Sequence, residues 1–129
     1  MKFPDDLRYA ATHEWVRTEP DGTLSIGISD HAQDMLGDLV FVELPAVGRT
    51  LAAGESCAVV ESVKAASDVY APVASVVVAA NTALAESPES LNRDPYGSWL
   101  FRVKPADPAA VSRLMDAATY RLGLDKVAT

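Results

Sequence analysis

The stretch that decides the fold is Val59-Val60-Glu61-Ser62-Val63-Lys64-Ala65-Ala66-Ser67-Asp68-Val69-Tyr70-Ala71-Pro72. Two β-prone runs, Cys57 to Ser62 and Ser67 to Ala71, flank one lysine, with no glycine-rich loop and no catalytic cluster beside it. An amine that is charged and strongly hydrated, set between Val63 and Ala65, favours a turn tip in solvent. Small neighbours leave room for a modifying enzyme. Taken alone, Lys64 reads as an ordinary solvated turn residue; Glu61 before it and Ser67-Asp68 after it, inside matching strands, favour a presented one.

Outward from this hairpin the chain is mostly short strands. Leu24, Ile26 and Ile28 alternate with Ser25 and Gly27, preceded by a hairpin turn at Asp21-Gly22. Val40 to Leu44 is a further strand, ended by Pro45. Between them Ser29 caps a short helix, Asp30 to Leu36, with Gly37 as a left-handed stop. Val76 to Ala80 and Trp99 to Val103 are predicted strands, separated by a polar loop from Leu91 to Gly97. Asp107 caps and Pro108 opens a predicted C-terminal helix, with Val111, Leu114, Met115 and Ala118 on one face. A weak echo between Val47–Ala52 and Ala80–Ala85 suggests a turn-plus-strand unit on either side of Lys64.

At 129 residues and 49% hydrophobic content the chain suits one domain, residues 1–129, with a real core. Eleven Lys and Arg against eighteen Asp and Glu give a net charge of −7, which repels phosphate backbones and anionic lipid. No nucleic-acid or membrane partner is expected. The most apolar run, Val69 to Ala80, is broken by Pro72 and is shorter than the roughly 20 residues of a membrane span. Met1 to Asp6 resembles neither a signal peptide nor a transit peptide, so a cytoplasmic location is expected. The single cysteine, Cys57, reads as a small buried hydrophobe. His13 and His31 lie far apart in sequence without a second ligand at helical spacing, so no metal site is expected. A hydrolase or transferase built on Ser62 or Ser67 with His13 or His31 finds no support in the spacing.

The segment Glu61-Ser62-Val63-Lys64-Ala65-Ala66-Ser67-Asp68 resembles the lipoyl-lysine segment of the H protein of the glycine cleavage system. Further matching blocks span nearly the whole chain: Tyr9, His13-Glu14-Trp15-Val16, Gly27-Ile28-Ser29-Asp30, Ala32-Gln33, Leu36-Gly37-Asp38, Val40 to Pro45, Gly48, Ala53-Gly54-Glu55 and Asp94-Pro95-Tyr96-Gly97. The resemblance implies a mainly β fold, the lipoyl/biotinyl-type barrel-sandwich hybrid of two small antiparallel sheets, with short peripheral helices and a C-terminal helix. It implies a non-catalytic carrier with lipoate attached to Lys64, on an arm of roughly 14 Å. The carrier would shuttle the aminomethyl group of glycine among glycine decarboxylase, aminomethyltransferase and dihydrolipoamide dehydrogenase, after loading by a lipoylating ligase or transferase.

By the same resemblance Glu14, Thr12 and Asp68 would shelter the cationic amine, and Glu61 would mark the hairpin for the ligase. Each has a plainer competing reading: Glu14 a surface acid beside a core tryptophan, Thr12 a strand residue, Asp68 a turn acid bonding backbone, Glu61 a solvated strand position. Three departures concern the surroundings of the lysine. Cys57-Ala58 stands where the family has Phe-Gly, Ser75 replaces a glycine, and a glycine between Gly97 and Trp99 is missing. A positive φ at residue 75 would strain serine. Among relatives of the fold, a biotin carrier is expected to show methionine on both sides of its lysine, where this chain has Val63 and Ala65, and a 2-oxoacid dehydrogenase lipoyl domain shows Asp-Lys-Ala, where this chain has Val63 before the lysine, and is joined to further domains; both fit less well. A closer alternative is an H-like relay protein that passes lipoate to other enzymes.

Overall fold

A computed structural model describes residues 1–128, with side chains for residues 1–124. The elements in order are β1 (Arg8–Tyr9), β2 (Glu14–Thr18), β3 (Leu24–Ile28), α1 (Asp30–Leu36), β4 (Leu39–Glu43), β5 (Thr50–Leu51), β6 (Ser56–Ser62) and β7 (Ala66–Tyr70). They continue with β8 (Ser75–Ala80), α2 (Thr82–Glu86), α3 (Ser90–Arg93), β9 (Phe101–Pro105), a 3₁₀ helix (Pro108–Arg113) and α4 (Ala117–Ala128). Two antiparallel sheets result, one ordered β1-β2-β3-β9-β8-β5 and one ordered β4-β6-β7. This is the mainly β architecture expected, with the lysine hairpin in the smaller sheet. Val16, Ile26, Val42, Val60, Val69, Val77, Phe101 and Val103 share one core between the sheets. A second cluster of Leu7, Tyr9, Trp15, Ala117 and Tyr120 holds α4 against β1 and β2. Among the described residues no helix is long and apolar enough to cross a membrane.

The β2–β3 hairpin turns at Asp21-Gly22 as read, with Gly22 at φ 87° and Asp21 Oδ1 accepting the Thr23 N–H at 3.0 Å. All five β3 residues are buried, Ser25 and Gly27 along with the apolar Leu24, Ile26 and Ile28 that alternate with them. Ser25 is covered because its hydroxyl donates to Glu19 and accepts from Arg102. Gly27 lies beneath the Trp15 indole, where a Cβ would sit 2.5 Å from Cε2. In β4 a bulge between Leu39 and Phe41 turns both Val40 and Phe41 to solvent.

Four expectations need correction. The strand predicted from Trp99 runs instead from Phe101 to Pro105; the Leu100 N–H still bonds the Ile26 carbonyl of β3 at 2.7 Å, but out of the register in which Ile26 opposes Phe101. The polar loop at Leu91 to Gly97 contains α3, whose Leu91 is fully buried. The echo does not hold either, because residues 50–51 form a strand whereas residues 82–86 form a helix. The helix begun at Asp107-Pro108 stops at Arg113: Leu114 turns extended, Met115 pairs with Tyr9 through two backbone bonds of 2.8 and 3.0 Å, and Asp116 caps α4 by accepting the Thr119 N–H. Its apolar period divides between two clusters, with Val111 and Leu114 packed against the main core and Met115 against the second, while Ala118, placed on the same face by the sequence, is exposed.

Candidate functional site

β6 and β7 pair in register from Ala58 to Glu61, after a shift between Ser56 and Ala58, and the turn between them is pinned by Ser62. Its N–H donates to the Ala65 carbonyl at 2.7 Å, and its Oγ accepts the N–H groups of Lys64 at 3.3 Å and Ala65 at 3.1 Å. A side-chain oxygen that takes two turn N–H groups fixes the loop without glycine. Lys64 is exposed at the tip and Val63 beside it is 80% exposed. The Lys64 side chain runs past Gly37, where a Cβ would lie 3.4 Å from Cε and 3.8 Å from Nζ. Among the described residues the ammonium makes no ion pair.

Gly37, at φ 81° and ψ −155°, occupies a region that only glycine adopts readily, and is not the αL stop that the sequence suggested. Asn92 of α3 clamps this corner, accepting the Leu39 N–H and donating to the Gly37 carbonyl and Gln33 Oε1. Asn92 was not visible as a site residue, because its partners lie more than fifty residues away in sequence.

Glu14 is 1% exposed and is therefore not a surface acid. Its Oε2 accepts the backbone N–H of Tyr70 at 3.1 Å, across to the edge strand of the other sheet, and its Oε1 accepts the Thr12 hydroxyl. Burial pushes its carboxyl up to about 7, with the Thr12 and Tyr70 hydrogen bonds only partly opposing. Thr12 lies in the exposed β1–β2 turn, not in a strand. Asp68 is exposed in β7, two residues from Tyr70, and accepts the Ser56 hydroxyl at 3.1 Å; this bond goes to a side chain, not to a turn backbone. Glu61 is half-buried at the end of β6, between Phe41 of β4 and Ala66 of β7 in the ladder. The structure thus joins Thr12, Glu14 and the Tyr70 backbone directly, and leaves Glu61 and Asp68 on the lysine hairpin.

The departures are absorbed locally. Ser75 sits inside β8, and among the described residues only His13 has a positive φ outside glycine, so serine brings no strain there. Cys57 is buried, its thiol donating to the Val69 carbonyl, and burial pushes it up to about 12. The shortened loop before Trp99 closes through Asp94, which accepts the Gly97 N–H at 3.1 Å.

Beside Glu14 the chain brings together residues that the sequence kept apart. His13, at φ 80°, bonds Tyr120 through Nδ1 at 2.8 Å, the Tyr120 hydroxyl meets Ser29 Oγ at 2.7 Å, and the His31 ring lies 4.9 Å from that of His13. Burial, then His31, lowers the pKa of His13. A cleft of about 330 Å³ here is lined by Ala11, His13, His31, Met35, Met115 and Tyr120, among others.

The family model described as Glycine cleavage H-protein matches residues 7–126. A glycine cleavage system H protein of Thiobacillus denitrificans is 64% identical over 121 residues, covering 94% of each chain. A glycine cleavage system H protein 2 of Pseudomonas aeruginosa is 57% identical over 123 residues, covering 95% of each. The crystal structure of a glycine cleavage system H protein from Mycobacterium marinum superposes with a TM-score of 0.88 at 43% identity, over 95% of this chain and 99% of that one.

Proposed function

The chain belongs to the glycine cleavage H-protein family, and on that premise we propose that it is a non-catalytic carrier bearing lipoate in amide linkage to Lys64. The observation that carries this reading is the Lys64 amine itself, exposed, without an ion pair among the described residues and held at the tip of a hairpin that Ser62 rigidifies. A fixed tip with a free amine suits a modifying enzyme that must seat the hairpin in an extended cleft. Gly37 keeps the root of the arm clear, and Glu61 offers the ligase an acid on the same hairpin.

Bound lipoate supplies a strained disulfide that opens to accept the aminomethyl group of glycine and is later restored by oxidation. The chain's own part is electrostatic. Glu14, buried without a cation beside it among the described residues and with its carboxyl near 7, costs free energy to ionise. A protonated amine brought against it removes that cost, so the carboxylate holds the cargo while Thr12 keeps the carboxyl oriented. Asp68 adds a second negative group on the hairpin. The partners are glycine decarboxylase, aminomethyltransferase, dihydrolipoamide dehydrogenase and the lipoylating ligase or transferase, which meet the carrier in the cytoplasm. The net charge of −7 favours docking faces of opposite sign on these enzymes.

The test is the intact mass of the chain incubated with lipoate, ATP and a lipoylating ligase, with Lys64→Arg beside it. One lipoyl mass on the wild type and none on Lys64→Arg is expected; an unmodified wild type, where a known carrier is loaded, would falsify the reading. Reconstitution with the three partner enzymes then separates glycine cleavage from lipoyl relay.

A further inference from the structure

The chain has two histidines and three methionines, and both histidines and two of the methionines line the single cleft between the β1–β2 turn, α1 and α4. We propose that this cleft binds one soft monovalent metal ion, of the copper(I) and silver(I) class, through His13, His31, Met35 and Met115. His31 and Met35 stand four residues apart on α1, the spacing that puts side chains on one helix face. His13 comes from the opposite wall, its ring 4.9 Å from that of His31, close enough for one nitrogen of each to share an ion. Met115 is placed by its backbone pairing with Tyr9, so the fourth group rests on a fixed strand-like segment.

The ring is held from behind. Tyr120 bonds both His13 Nδ1 and Ser29 Oγ, and with its hydroxyl accepting from Nδ1–H and donating to Ser29, Nε2 of His13 is the lone-pair nitrogen left to face a ligand. The backbone of His13, at φ 80°, is held in a conformation rare outside glycine, and it sets the ring beside His31. The donor set chooses the metal. Among the described residues no carboxylate or thiol joins the two imidazoles in a metal-sized group, so all four donors are neutral. Neutral donors in an apolar cleft leave a divalent ion with two uncompensated charges and a monovalent ion with one. Thioethers also favour soft ions over zinc, calcium or magnesium.

The site is independent of Lys64, so the test uses the full chain without lipoate, which removes the dithiol as a competing ligand. Silver(I), which needs no reductant, is titrated at pH 7 and followed by calorimetry and by NMR of the methionine methyls and histidine rings. One equivalent is expected, shifting Met35, Met115, His13 and His31 and leaving Met1 in place. Met35→Leu and His31→Gln, both at partly exposed positions, should each weaken binding at least tenfold with unchanged circular dichroism. Cys57→Ala should bind as the wild type does, and zinc(II) at least tenfold more weakly than silver. Absent binding, loss of binding in Cys57→Ala, wild-type affinity in Met35→Leu, or preference for zinc would each overturn the proposal.

Discussion

The carboxylate of Glu14 on β2 accepts the backbone N–H of Tyr70 on β7 at 3.1 Å, so a buried acid closes the edge strand of one sheet against the other. Its charge makes this joint depend on pH. With the folded carboxyl near 7 and an ordinary value of 4.5, the folded chain keeps a proton between those limits that the unfolded chain has released. The stability from the protonated form is fully present below 4.5 and is lost as pH rises through 7, a change on the order of 3 kcal/mol. Glu14→Gln should therefore exceed the wild type in urea unfolding at pH 8 by about that amount and match it within about 1 kcal/mol at pH 4.5. His13, lowered in the fold, titrates in the opposite sense, but equally in both chains. A difference that does not vary with pH would mean that the carboxyl is solvated.

Among the described residues Thr12 supplies the one side-chain donor to Glu14. Because that bond favours the ionised carboxylate, Thr12→Val should raise the Glu14 midpoint further, read from the carboxyl carbon in an NMR titration. Thr12 is exposed, so no packing is lost and stability should fall by only about 1 kcal/mol. An unmoved or lowered midpoint would remove Thr12 from the pocket.

Ser62→Ala tests the hairpin. Two turn N–H groups lose their acceptor while the β6–β7 ladder remains, so a cost of about 1 kcal/mol and retained circular dichroism are expected. Under identical ligase conditions the initial lipoylation rate should fall several-fold, since the lysine then samples more turn geometries. Wild-type rates would show that the ligase reorganises the turn itself.

Much of this was legible in sequence because the signals are local. Asp21-Gly22, Ser29 with its helix, and the paired runs around Lys64 each act within a few residues, and each appears where read. What escaped depends on distant partners. The break at Leu114 needs Tyr9, more than a hundred residues away, to offer Met115 two backbone bonds in place of helical ones. The burial of Gly27 needs Trp15 above it, and the approach of His13 to His31 needs Tyr120 from α4. Glu14 could be singled out by resemblance, but not its burial: HEWV reads as a strand whose acid faces water, until β7 lies across it.

Gly37 joins stability to access in one residue. Its φ of 81° with ψ of −155° lies where a Cβ meets backbone oxygens, a strain of about 1–3 kcal/mol for alanine. That Cβ would also press on Lys64 Cε at 3.4 Å, an ordinary contact that narrows the space through which the arm swings. Gly37→Ala should lower the melting temperature by roughly 4–10 °C for a chain of this size. Gly54→Ala, also at positive φ but with nothing within 4 Å of its Cβ, supplies the control for strain alone. Ligase turnover on Lys64, measured well below both melting temperatures, should fall in Gly37→Ala and hold in Gly54→Ala. Equal turnover in the two would show that the glycine serves the α1–β4 corner and not the lysine beside it.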